Sequence, residues 1–129
     1  MDYLADTVTI VRHFTDSGKI GKKARDILNR IEADQGTLVI SVISLMEIMY
    51  LSEKNRIDIT LSETLEAIEL STNYRIADLT PEILQVAETV IFNELHDRLL
   101  LSTAKFLDIS IISSDKKFKS VQGVKVIWD

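Results

Sequence analysis

Short apolar runs alternate with longer amphipathic ones along nearly the whole chain. Tyr3-Leu4-Ala5, Thr37 to Ser41 (TLVIS), Tyr74 to Leu79, Ile109 to Ser113 (ISIIS) and Val124 to Trp128 (VKVIW) read as strands. Between them, Val8 to Phe14 reads as a helix. Lys22 to Ala33 places Ala24, Ile27, Leu28 and Ile31 at helical spacing. Leu45 to Lys54 and Leu61 to Leu70 repeat that pattern. Thr80-Pro81-Glu82 opens another helix, with Thr80 suited to cap it and Pro81 to its first turn. Asp97 to Phe106 is the last. Strands alternating with helices predict a three-layer α/β/α fold with a central, mostly parallel sheet. A run as continuously apolar as ISII fits a strand covered on both faces.

Such sheets build sites where strand C-terminal ends meet helix N-termini. Four acidic residues fall at these junctions. Asp6 follows the first strand, and Glu47 stands in the first turn after TLVIS. Asp97 opens the last helix, and Asp115 stands just past ISIIS. Each alone has a plainer reading. Asp6 and Asp97 suit helix caps, Asp115 suits a turn, and Ser44-Leu45-Met46-Glu47 has the spacing of a capping box. Four acids on one edge of one sheet are harder to explain that way. Most other acids, such as Asp26, Glu32, Glu53 and Glu66, mix with basic residues on helix faces and read as solvated surface.

Composition narrows the picture. The 129 residues are 46% hydrophobic and 27% charged, with one proline and four glycines, and no stretch reads as a linker or repeat. One domain over residues 1–129 is expected. The absence of cysteine excludes disulfides and thiolate metal sites. The N-terminus has no basic start leading into an apolar stretch, and no apolar run approaches the roughly 20 residues of a membrane span. A cytoplasmic protein without membrane attachment is expected. The net charge of −5 means that the overall field does not hold nucleic acid, so any such binding needs a local basic patch and metal ions.

The chain resembles the PIN-domain ribonucleases, and within them the VapC-like toxins of type II toxin–antitoxin modules. The resemblance rests on Tyr3-Leu4-Ala5-Asp6-Thr7, Ile40 to Ile48 (ISVISLMEI), Asp97 to Ala104 (DRLLLSTA) and Ile112 to Phe118 (ISSDKKF), in that order. Two positions depart from the family pattern. Val8 stands where a Ser or Asn is frequent, and Lys116 and Lys117 stand where some relatives carry a further acid.

The resemblance implies that Asp6, Glu47, Asp97 and Asp115 meet in one pocket as catalytic, metal-binding residues for Mg²⁺ or Mn²⁺. Both ions prefer oxygen ligands. Asp6 and Asp97 are the expected direct ligands, with Glu47 and Asp115 completing the site directly or through water. Thr7 and Ser113 are expected to orient carboxylates or phosphate through their hydroxyls. Arg12, Arg98, Lys116 and Lys117 are the expected contacts to an RNA substrate. His13, on the first helix near the site, and His96 are given no role. The implied partners are RNA, an antitoxin protein and, in a homodimer, a second copy. A groove between the helices Lys22 to Ala33 and Val42 to Lys54, rich in Met46, Met49, Tyr50 and Leu51, is expected to seat the antitoxin. The function expected is therefore a metal-dependent ribonuclease. A non-catalytic PIN-like binding module is the alternative. A phosphoaspartate enzyme fits less well, because Asp6-Thr7-Val8 lacks the second Asp such phosphatases carry.

Overall fold

The computed structural model describes residues 1–129. The element order is β1 (Asp2–Ala5), α1 (Thr7–Thr15), α2 (Lys22–Glu32), β2 (Thr37–Ser41), α3 (Val42–Glu53), α4 (Leu61–Glu69), β3 (Tyr74–Ala77), α5 (Pro81–Ala87), α6 (Leu95–Leu107), β4 (Ser110–Ile112), a 3₁₀ helix (Lys116–Ser120) and β5 (Val126–Ile127). The strands form one sheet in the order β3-β2-β1-β4-β5. Every pairing is parallel, so the sheet is wholly rather than mostly parallel.

Side-chain alternation divides the core between the two faces of the sheet. Ala5, Leu38, Ile40 and Ile112 face a cluster built by α1, α2, α3 and α4. Leu4, Val39 and Ile111 face a second cluster, filled mainly by Leu99, Leu100, Leu101 and Ala104 of α6, with Ala87 and Phe118. Both faces being covered explains why the strands carry no polar alternation.

Several boundaries differ from the pattern-based ones. The third helix begins at Val42 rather than Leu45, because the Ser41 side chain accepts from the Ile43 amide and caps it. The last helix begins at Leu95 rather than Asp97. There the Glu94 carboxylate accepts from the amides of His96 and Asp97. The 3₁₀ helix after β4 was not expected; Asp115 caps it by accepting from the Lys117 amide.

The chain order reverses between β1 and β4, which lie side by side while β2 and β3 extend one way and β5 the other. Connections leaving such a pair diverge to opposite faces and open a crevice at the strand C-termini. Asp6 leaves β1 there, and its amide donates to the Ile112 carbonyl of β4 at 3.1 Å.

At the far edge, β5 is tied to the start of α2. The Trp128 carbonyl accepts from the Ala24 amide at 3.0 Å and so satisfies one of the helix's otherwise unpaired donors. Gly21 permits this approach, since a Cβ there would stand 2.4 Å from that carbonyl oxygen. Gly21→Ala should therefore push β5 off α2 and cost about 1–3 kcal/mol, as overpacking does. Urea unfolding should show a lower midpoint with an unchanged slope. An unchanged midpoint would show that β5 yields without cost.

Candidate active site

Asp6 is only 8% exposed, although it carries a carboxylate. Two donors hold it. The Thr9 amide reaches Oδ1 at 3.0 Å, which makes Asp6 the cap of α1. The Ser113 hydroxyl, itself 1% exposed, donates to Oδ2 at 2.5 Å. Ser113 also accepts from the Asp115 amide at 3.0 Å. One serine thus bridges the end of β1 to the turn after β4.

A second hydroxyl relay holds Glu47. Thr7 Oγ1 lies 2.5 Å from Glu47 Oε1 and 3.0 Å from Ser44 Oγ. Thr7 has a single hydroxyl proton, and the shorter contact gives it to the carboxylate. The other oxygen, Oε2, lies 3.4 Å from His96 Nδ1. Glu47 is not part of a capping box, because Ser41 rather than Ser44 caps α3. It projects from the second turn of that helix, not the first.

Asp97 shows that the acids converge. Burial first, and then the charges of Glu94, Glu47, Asp115 and Asp6, together push its carboxyl up from 3.8 to about 6. Asp6, Glu47 and Asp115 thus lie within electrostatic reach of Asp97, with Glu94 as a fifth acid. Asp97 caps nothing, since Glu94 does that work. The signal for Glu94 was legible as an acid three residues before the helix's own first-turn acid. His96 had no such signal, because its contact with Glu47 spans 49 residues of sequence.

The oxygen-only donor set suits Mg²⁺ or Mn²⁺ rather than a softer ion. The side chains do not form a ready-made cage, as no three of the chain's acids and histidines are drawn close enough to grip an ion by themselves. That is compatible with Mg²⁺, which is ordinarily bound through one or two carboxylates and keeps several waters.

The basic residues separate. Lys117 borders the same cleft as Glu94, Asp97 and Asp115. Lys116 faces away, into a groove between the 3₁₀ helix and α2. Arg12 and Arg98 each spend one donor on the backbone: Arg12 donates to the Lys19 carbonyl at 2.7 Å, and Arg98 to the Ala87 carbonyl at 2.8 Å. Both guanidinium groups brace the fold. His13, expected near the site, stands at the other end of the strands. It pairs with Glu32 at 2.9 Å, and Glu32 also accepts from the hydroxyl of Tyr74, the first residue of β3. Burial works against the charged Glu32, but Tyr74 and His13 outweigh it and hold its carboxyl below the usual value.

A profile of the PIN domain matches residues 3–124. The chain belongs to the PIN-domain family. No curated protein matches it by sequence. Solved PIN structures share its fold. VapBC2 from Rickettsia felis, bound to a promoter DNA fragment, superposes with a TM-score of 0.74 at 18% identity over 100% of both chains. DNA-bound VapBC from Salmonella typhimurium gives 0.72 at 15% identity, over 98% of this chain and 97% of that one. VapC20 from Mycobacterium tuberculosis, a sarcin-ricin loop cleaving toxin, gives 0.60 at 17% identity, over 95% and 98%. Within this PIN domain, Asp6 stands at the crevice between β1 and β4, and Asp97 is exposed to its charge and to those of Glu47, Glu94 and Asp115.

The repulsion at Asp97 sets the sign of a pH effect. Its folded value lies above its usual one, so stabilisation by the protonated form is complete below pH 3.8 and is lost as pH rises through about 6. Asp97→Asn removes that dependence. In EDTA, the variant should match or exceed the parent in urea stability at pH 7 and lose its advantage towards pH 4. Strong destabilisation at pH 7 would make Asp97 a structural residue instead.

Proposed function

We propose that this PIN domain is a metal-dependent endoribonuclease and the toxin of a toxin–antitoxin pair. The observation that carries the reading is the placement of acids at one crevice, with Asp97 and Asp115 lining a cleft and Ser113 joining Asp6 to the Asp115 turn. Like charges gathered at a crevice are costly unless a cation offsets them. Support for the toxin role comes from the fold shared with the VapC20 toxin and with a toxin–antitoxin complex from Klebsiella pneumoniae.

Asp6 and Asp97 would hold the ion, with Glu47 and Asp115 completing its surroundings directly or through water. When bound, a divalent ion neutralises phosphate charge and lowers the pKa of a water poised to attack. The chain's own residues do the positioning. Ser113 fixes the Asp6 carboxylate and the start of the turn that carries Asp115. Thr7 fixes one oxygen of Glu47, leaving the other beside His96. Lys117, bordering the same cleft, would hold the phosphate on the product side.

The purified protein should cut single-stranded RNA with Mg²⁺ or Mn²⁺ and stop cutting in excess EDTA, whereas Asp97→Asn should be inactive with either ion. Millimolar Mn²⁺ should raise the melting temperature of the parent by binding the folded state, and that of Asp97→Asn much less. Cleavage that continues in EDTA would defeat the metal reading. A melting temperature indifferent to Mn²⁺ would argue that the acids hold no ion.

The proposed antitoxin seat differs from the groove expected between the second and third helices. Met46, Met49, Tyr50 and Leu51 line a cleft with His96 of α6, to which α2 contributes nothing. Met46 and Met49 are each 40% exposed and Tyr50 52%. Glu47 borders the same cleft, so an apolar segment carrying a basic side chain would reach the acids from there. Co-expression with an adjacent small DNA-binding protein should yield a complex without nuclease activity. Met49→Asp should release the partner and restore cutting. Recovery of only the free chain from the parent pair would count against the toxin role.

A further inference from the structure

Beside the acidic crevice runs a groove of opposite character, of about 480 Å³, between α2 and the 3₁₀ helix. Its floor is the edge strand β5. Lys23 and Arg30 stand on one wall, Lys116 and Lys119 on the other, and Lys125 at the strand. All five are exposed. None forms an ion pair, although the chain has more acids than bases. Three carboxylates share the groove, those of Asp26, Asp115 and Asp129, and they too leave the cations unpaired. A third of the chain's 15 basic residues therefore crowds one groove of a molecule whose net charge is −5.

Two further features give the groove a direction and an occupant. Ser113 and Asp115 belong both to this groove and to the acidic crevice, so the two are continuous. Trp128, partly buried against the start of α2, stands beside Ser113 at the crevice end, because β4 and β5 pair Ile112 with Ile127. A positively charged groove interrupted by an aromatic side chain is the arrangement that binds single strands, because cations follow the phosphates while an unpaired base stacks on the ring. A duplex hides the faces of its bases and cannot use Trp128 in this way.

We infer that the groove from Asp115 and Trp128 along β5 to Lys125 is the track for the single-stranded flank of the RNA that the crevice cuts. Lys23, Arg30, Lys116, Lys119 and Lys125 neutralise its phosphates, and Trp128 takes one base. The inference rests on the nuclease reading for the identity of the polymer. It answers how an acidic chain holds a polyanion: the charge is separated, with metal-binding acids in the crevice and unpaired cations in the adjoining groove.

The test separates binding from cutting. Trp128 is the only tryptophan, so its emission reports groove occupancy directly. Asp97→Asn is titrated with a mixed-sequence oligoribonucleotide of about 12 nucleotides, within the site sizes such grooves span. Emission should be quenched as RNA binds. Log affinity should fall linearly with log salt, by about 0.7 for each phosphate contact. Adding Lys23→Ala with Arg30→Ala, or Lys119→Ala with Lys125→Ala, should each reduce that slope by about 1.4. Both pairs lie on opposite walls and are exposed, and circular dichroism checks that each folds. Lys54→Ala with Arg56→Ala, outside the groove, should leave affinity and slope as they were.

In the otherwise unsubstituted protein, the groove pairs should raise KM and leave kcat at saturation near the parental value. Unquenched emission, or slopes unchanged in both groove pairs, overturns the inference even if the parent cuts RNA. Displacement of the RNA by polyglutamate of equal charge also overturns it, since the groove would then suit any acidic chain. Groove-dependent binding by a parent that never cuts would uphold the track and sink the nuclease reading.

Discussion

A carboxylate at 8% exposure needs partners, and Asp6 obtains them from two directions at once. The Thr9 amide comes from its own helix, and the Ser113 hydroxyl from the far side of the sheet's topological reversal. Hydrogen bonds to a charged group contribute about 1.5–3 kcal/mol each, and losing one strands a buried acceptor. The pairing therefore does two things. It makes burial of Asp6 tolerable, and it clamps the ends of β1 and β4 together at the crevice. Ser113 extends the clamp to the Asp115 amide, so the turn that carries a second acid is fixed by the same hydroxyl.

Electrostatics adds a counterpressure. Glu94 spends both carboxylate oxygens on the first amides of α6, which fixes where that helix begins and where Asp97 points. Burial of Asp97 comes first, and the charge of Glu94 then adds to those of Glu47, Asp115 and Asp6 in holding its carboxyl up at about 6. These neighbouring charges repel one another, and the two covered faces of the sheet offset that cost. Of the basic residues, Lys117 borders the cleft of Glu94, Asp97 and Asp115. Arg12 and Arg98 bond to backbone carbonyls, while five other basic side chains remain unpaired in the groove over β5.

The two hydroxyl relays also show how positioning differs from charge. Thr7 and Ser113 carry no charge, yet each is almost wholly buried and each fixes one carboxylate. Their placement depends on the parallel register. Leu4 lies beside Ile111 and Ala5 beside Ile112, so the residues following each pair emerge at one level. A slip of one residue would invert the faces and send Ser113 into the core.

Much of this was written in local pattern. TLVIS became a strand with the expected ends, and Thr80-Pro81 capped and opened a helix where composition placed them. The alternation of strands with helices determined a layered parallel fold, because period and turn chemistry act over a few residues. The position of acids after strands was legible for the same reason. What pattern could not carry was any contact between distant segments. Ser44 three residues before Glu47 suggested a capping box, but Ser41 won the cap because the chain turns helical directly at the end of β2. Asp97 looked like the start of α6 until Glu94 took the exposed amides. His13 looked close to Asp6 in sequence, yet seven residues of helix carry it to the other end of the strands and into a pair with Glu32. His96, which local reading left without a role, meets Glu47 across α3 and α6. The sequence by itself determined which residue types stand at which strand ends. Only the tertiary structure decided which side chains meet, because strand order and register, set by burial on both faces of the sheet, bring residues more than a hundred positions apart within hydrogen-bond reach.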